Sequence, residues 1–255
     1  MNVLVCVKRV PATGGRIVLT PDEQEIDTKF LGFTVSPHEE CAVEEAVRLV
    51  EAQGGTTTVL TLGPDVAQEQ LRDAMAIGAD RAIHLRTAGE EWDGRATAAA
   101  IVDAVRQEEA NGGAFDLLLF GNEAADTGGY QVGIRVAHAL GRPVVSGIKQ
   151  LHVADGRVSA RREASGGWEV FDVALPAVAS VKEGINLPRY PSMPGRLKAK
   201  KKPVAVVDLT APANGLRKER LRLPQGQEKQ VEVLGEGVDA VPAAVEMLRR
   251  LGVVS

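Results

Sequence analysis

Residues 56–86 read TTTVLTLGPDVAQEQLRDAMAIGADRAIHLR. TTTVLTLG is an apolar and β-branched run that reads as a strand buried in a sheet. PDVAQEQLRDAMAIGA reads as a helix, with Pro64 in its first turn and Gly78 past its end. RAIHLR is another buried strand. A strand, a helix and a strand in succession predict a parallel crossover unit.

The pattern continues in both directions. Upstream, Val3–Val7 is a continuous apolar strand, and residues 16–28 are a small excursion with a turn at Pro21-Asp22. Pro37 then opens a helix through HEECAVEEAVRLVEAQGG. Cys41, Ala42, Val43, Ala46, Val47 and Val50 form its apolar stripe, with acids opposite, and Gly54-Gly55 stop it. Downstream come a helix, DGRATAAAIVDAVRQEEA, with Asp93 as N-cap, the strand FDLLLFG, and a helix, TGGYQVGIRVAHALG, ending at Gly141. The alternation predicts an α/β fold with a doubly wound, mainly parallel sheet.

From Val144 to Val181 the residues alternate apolar and polar around turns at Asp155-Gly156 and Gly166-Gly167. These read as antiparallel hairpin strands added at the sheet edge. PVAVVDL is one more strand. Residues 210–236 are polar, rich in Gly, Pro and charge, and read as an extended arm before a short amphipathic helix, VDAVPAAVEMLRRLGV. The chain is therefore divided into an α/β domain over residues 1–207 and an arm over residues 208–255. Such an arm needs a surface to hold, either its own body or a second chain.

Composition excludes several functions. The chain of 255 residues is 44% apolar and 25% charged, enough for a core without disulfides or metals. A net charge of −4 argues against nucleic-acid binding by bulk electrostatics. Cys6 and Cys41 form no CxxC pair, which points to a reducing compartment. MNVLVCVKRV lacks a charged leader and reads as a first strand, not a signal peptide. No apolar stretch reaches the roughly 18 residues of a membrane span. The expected location is cytoplasmic.

His38, His84, His138 and His152 show no metal-ligand spacing with one another or with a cysteine. There is no GxSxG elbow, no Walker A sequence and no GxGxxG. What remains is GNEAADTGGYQVG, residues 121–133, which follows a buried strand and opens a helix. Ligands of open α/β sheets bind beyond the carboxyl ends of the strands. Gly128, Gly129 and Gly133 would let backbone N–H groups approach a phosphate, and Gln131 adds an amide. The same glycines suit an ordinary βα turn, and the local residues do not choose between the two. SPHEE, residues 36–40, is a second candidate at that edge, although Ser36 is equally a plain N-cap.

INLPRYPSMPGRLKAKKKP, residues 185–203, stands apart. Pro188, Pro191 and Pro194 recur at three-residue spacing, which predicts neither helix nor strand. Six basic residues and no acid lie between Arg189 and Lys202. The lysines alone suit a solvated surface loop. Proline stiffness is the functional signal, because it lowers the entropy cost of presenting Met193 as an apolar anchor.

Together, VLVCVKRV, CAVEEAVRL, IGADRAIHL, GNEAADTGGYQVG and INLPRYPSMPGRLKAKKK resemble the β subunit of electron transfer flavoproteins over nearly the whole chain. The resemblance implies an adenine-nucleotide alpha-hydrolase-like fold and a heterodimer with an α subunit that carries most of the FAD. It implies a buried AMP held by Cys6, Ser36, Pro37, His38, Glu39, Leu62, Asp126, Thr127, Gly128, Gly129, Tyr130, Gln131, Val132 and Gly133. It also implies a recognition loop for acyl-CoA and related dehydrogenases, with Arg189, Tyr190, Pro191, Met193, Pro194, Lys198 and Lys201 at the partner surface. Electrons would pass towards a quinone oxidoreductase, and no bond chemistry would occur on this chain. Ser36 and Val132 depart from the AMP-binding pattern. The alternative is an electron-bifurcating relative with a second FAD in place of AMP.

Overall fold

The computed structural model describes residues 1–12, 14, 16–212, 215, 216, 218–224 and 231–254. Its first strand, β1 (Asn2–Cys6), carries Val3 and Val5 to one face of the sheet and Leu4 and Cys6 to the other, as a strand buried on both sides must. A short antiparallel pair follows, β2 (Val10–Pro11) with β3 (Phe33–Thr34). Then come α1 (Pro37–Gln53), β4 (Thr56–Gly63), a 3-10 turn (Asp65–Ala67), α2 (Gln68–Ile77) and β5 (Arg81–Arg86). The chain crosses through α3 (Gly94–Ala110) to β6 (Leu117–Gly121), and α4 (Val132–Leu140) leads to β7 (Val144–Ile148).

β8 (Gln150–Ala154), β9 (Arg157–Ala164) and β10 (Gly167–Ala174) form an antiparallel meander, and β11 (Ala177–Val181) returns to the main sheet. α5 (Met193–Ala199), β12 (Val204–Asp208), a 3-10 turn (Gly237–Ala240) and α6 (Val241–Arg250) complete the order. The main sheet has seven strands in the order β12-β5-β4-β1-β6-β11-β7, all parallel. Cys41, Ala42, Ala46, Leu71 and Met75 of α1 and α2 pack on the face reached by Val3 and Val5. Ala98, Ile101, Val102, Val136 and Ala137 of α3 and α4 pack on the face reached by Leu4 and Cys6. Helices on both faces make the sheet doubly wound. Strand order reverses between β1 and β6, so their carboxyl ends form the topological switch point of the sheet.

Four readings of the sequence are corrected. Residues 144–148 and 177–181 are parallel strands of the main sheet, and only β8, β9 and β10 are antiparallel. The meander does begin at the sheet edge, because β7 runs directly into β8 and Lys149 N–H donates to Arg161 O at 2.8 Å. The helix expected from Thr127 begins at Val132, and the residues before it are turns. The 185–203 loop contains a helix after all: α5 starts at Met193 under a Ser192 N-cap. Pro194 stands in its first turn, where a missing N–H costs nothing. Finally, the acids of α1 are not all solvent-facing, for Glu39 and Glu44 are buried.

Candidate functional site

The carboxyl edge of β1 and β6 gathers several of the expected residues. Ser36 is fully buried at the N-cap of α1, where its hydroxyl accepts from Glu39 N–H and donates to Glu123 O at 3.2 Å. Glu39 Oε2 returns the bond to Ser36 N–H at 3.2 Å, completing a capping box. The cap therefore also ties α1 to the segment after β6. Glu39 lies against Gly121, where an added Cβ would come within 2.6 Å of Glu39 Cγ, so the end of β6 requires glycine. Burial pushes the Glu39 carboxyl up to about 8, against the pull of the Lys8 and Ser36 backbone N–H groups. Burial, with the nearby Glu39, also raises the Cys6 thiol far above its usual range. This thiol is packed and inert, not a nucleophile.

The segment between β6 and α4 closes over this edge. Lys8 Nζ pairs with Asp126 at 2.7 Å, and Asp126 Oδ1 accepts from Thr127 N–H at 2.7 Å. Gly128 adopts φ +60°, a conformation that favours glycine. Gly133 lets α4 approach the Phe120 ring, 3.1 Å from where a Cβ would stand. Gln131 lies against Gly94 at the start of α3 and accepts from Arg135 Nε at 2.7 Å. Leu62 sits near the end of β4, paired with Leu85 of β5, and packs with the α3 and α4 face. Val132 belongs to the same apolar cluster.

Two clefts border the segment. One, of about 310 Å³, is lined by Asp93, Arg95, Gln131, Arg135 and Leu216. The other, of about 400 Å³, is polar and includes His38, Asn122, Glu123, Tyr130, Lys149 and Lys182. His38, in the first turn of α1, joins two loops there. Its Nδ1 accepts from Glu183 N–H at 2.8 Å, which assigns the proton to Nε2, facing Glu123 Oε1 at 3.2 Å. A hydrogen bond from Tyr130 holds the Glu123 carboxyl below its ordinary range. Pro37 opens α1 at this edge and Gly129 lies in the turn before Tyr130. Among the described residues, no group of three or more His, Cys, Asp and Glu is placed to hold a metal ion.

The second feature is the segment from Asn186 to Lys202. Leu187, Tyr190, Met193 and Leu197 are 84%, 96%, 73% and 60% exposed. Pro194, Lys198 and Lys201 are also exposed, and Pro191 is half-buried. Beneath them α5 is fastened to α2. Arg196 pairs with Asp73 at 2.9 Å, Arg72 donates to Ala199 O and Lys202 O, and Lys202 Nζ donates to Met75 O and Ala79 O. Arg189 points inward, its guanidinium gripped by Glu44 and Glu51 of α1. Sequence reading missed Glu44, Glu51, Lys8 and Glu123. Their partners are distant along the chain, and only the Glu44–Arg48 spacing gave a local signal.

A doubly wound parallel sheet with two clefts beside its switch point, and a braced loop with exposed apolar side chains, define the class as an α/β protein of open-sheet type. The chain belongs to the electron transfer flavoprotein family: the family model described as "Electron transfer flavoprotein domain" matches residues 26–212. It is 36% identical to the electron transfer flavoprotein subunit beta of Syntrophomonas wolfei over 239 residues, covering 92% of this chain and 91% of the relative. It is 35% identical to the Bacillus subtilis subunit beta, covering 82% and 79%. It is 34% identical to that of Mus musculus, covering 81% of each. The family makes it an electron-carrier component and not an enzyme with a substrate of its own.

Proposed function

We propose that this chain is the β subunit of a heterodimeric electron transfer flavoprotein, accepting electrons from acyl-CoA and related dehydrogenases and passing them towards a quinone oxidoreductase. The observation that carries this reading is the loop: Met193 is exposed on a helix stitched to α2, so an apolar anchor stands in a fixed place. A pre-ordered anchor is how a weak, transient docking surface gains specificity. Exposed Lys198 and Lys201 would steer acidic partners.

FAD, held mostly by the α subunit, would supply the one-electron chemistry. On this chain the crevice would hold AMP. By resemblance, Cys6, Ser36–Glu39, Leu62 and Asp126–Gly133 would border it, and of these His38 and Tyr130 line one adjoining cleft and Gln131 the other. Gly121 and Gly133 accommodate Glu39 and the Phe120 ring of the protein itself, and Arg95 and Arg135 line the adjoining cleft with positive charge. A second FAD in place of AMP is the alternative, favoured by the polar cleft on the other side, which gives a longer dinucleotide room. The α/β body over residues 1–207 would be the scaffold, and residues 208–255 would contact the α subunit. Val241, Val245 and Leu248 of α6 are exposed and available to it. No helix is long and apolar enough to cross a membrane among the described residues, and a cytoplasmic carrier of fatty-acid oxidation fits that.

The test is Met193→Ala in the heterodimer. Electron uptake from an acyl-CoA dehydrogenase should weaken about tenfold while flavin content stays unchanged. Unchanged uptake kinetics would remove Met193 as the anchor.

A further inference from the structure

The loop of residues 186–192 is held from behind by one helix. Glu44 of α1 is 1% exposed, yet it carries a carboxylate. Arg189 backbone N–H donates to Glu44 Oε2 at 3.1 Å, and Arg189 Nε donates to the same oxygen at 2.9 Å. Arg189 Nη2 reaches Glu44 Oε1 at 3.1 Å, and Arg48 Nε reaches that oxygen at 2.5 Å. The other side of the guanidinium meets Glu51 at 2.7 and 2.9 Å. Asn186 Nδ2 donates to Cys41 O and Glu45 Oε2, and Arg48 Nη2 donates to Leu187 O.

A buried carboxylate is tolerable only if it is paired. Burial pushes the Glu44 carboxyl up, but the hydrogen bonds from Arg189 and Arg48 outweigh it and hold the group below its ordinary range. Glu44 therefore makes the return of Arg189 compulsory, and with it the path of the loop. All the Arg189 donors in these contacts are spent on its own chain, so little is left for a partner. Tyr190, the next residue, points fully outward, and Met193 follows three residues on.

We propose that Arg189 is a positioning residue, not a partner contact. The Glu44–Arg189–Glu51 clamp sets the loop in its docking conformation before any dehydrogenase arrives, so that Leu187, Tyr190 and Met193 engage without an ordering cost. The clamp also sits on the helix whose N-cap borders the nucleotide crevice, so one rigid element places both features. This inference rests on the reading that the loop docks dehydrogenases.

The experiment uses the full heterodimer and two readouts. The first is amide hydrogen exchange over residues 186–196 with no dehydrogenase present. The second is steady-state electron uptake from an acyl-CoA dehydrogenase, resolved into KM and kcat. Arg189→Ala and Glu44→Gln should speed exchange in the loop by about tenfold and raise KM by about tenfold, with kcat unchanged. Arg189→Lys keeps the charge but not the fork and should fall between wild type and Arg189→Ala in both readouts. Glu51→Gln, at the exposed end, should raise KM about twofold to threefold and keeps the test open if Glu44→Gln fails to fold. Met193→Ala should raise KM while leaving exchange as in wild type. Unchanged exchange in Arg189→Ala, with or without a raised KM, overturns the positioning role. If Met193→Ala and the clamp variants all leave KM unchanged while the clamp variants speed exchange, the docking reading itself has failed, and the clamp is a structural brace only.

Discussion

Glu39 is a carboxyl group with almost no water around it, and it closes the cap that ties α1 to the crevice. Its native titration at about 8 lies above the ordinary 4.5, so the folded state binds this proton more tightly than the unfolded chain. The stabilising contribution is present at low pH and is lost as pH rises through about 8. Glu39→Gln keeps the capping geometry and removes the titration. Thermal unfolding should therefore show the variant gaining on wild type from pH 6 to pH 8, by at most ~1.4 kcal/mol per pH unit. A stability difference independent of pH would mean that Glu39 stays ionised. Ser36 was legible in the sequence as an N-cap, while the return bond from Glu39 three residues on came only with the structure. Glu44 was not legible, because an acid on an amphipathic helix looks solvent-facing until its partner, 145 residues away, is known. The inward turn of Arg189 has the same explanation, for nothing local distinguishes a gripped arginine from a free one.

α5 shows how an element can hide behind its own prolines. Proline at three-residue spacing excludes a helix only where its N–H is needed, and the first turn of a helix is exempt. Ser192 supplies the cap by accepting from Gly195 N–H at 3.1 Å. Gly195 in turn sits so close to α2 that a Cβ would come within 2.5 Å of Ala76 O. Ser192→Ala should release the first turn by about 1 kcal/mol, seen as roughly fivefold faster exchange of the Gly195 amide, with the global melting temperature little changed. Exchange at the wild-type rate would show that packing on α2 alone holds α5. The βαβ alternation was legible because strands buried on both faces read as unbroken apolar runs. β7 and β11 were not assigned to the parallel sheet, because the hairpins between them are continuous with their pattern and register is a long-range property.

At the scale of the whole molecule, the sheet order sets the two working features. The switch between β1 and β6 marks the edge where the proposed nucleotide site lies, and the return of the chain from β11 across α1 and α2 to β12 carries the loop over the helical face. The arm then runs back along the body: Leu216 N–H donates to Asp93, and Leu221 N–H donates to Glu23 O. α6 has no buried residue, and the proposed contact with an α subunit would cover its apolar face. The most direct test of the proposed carrier is to purify the heterodimer, denature it, and identify the released nucleotides by chromatography. One FAD and one AMP per dimer is the predicted result, and it would assign the crevice to AMP. Two FAD and no AMP would contradict it, and would turn the same crevice into a second redox site.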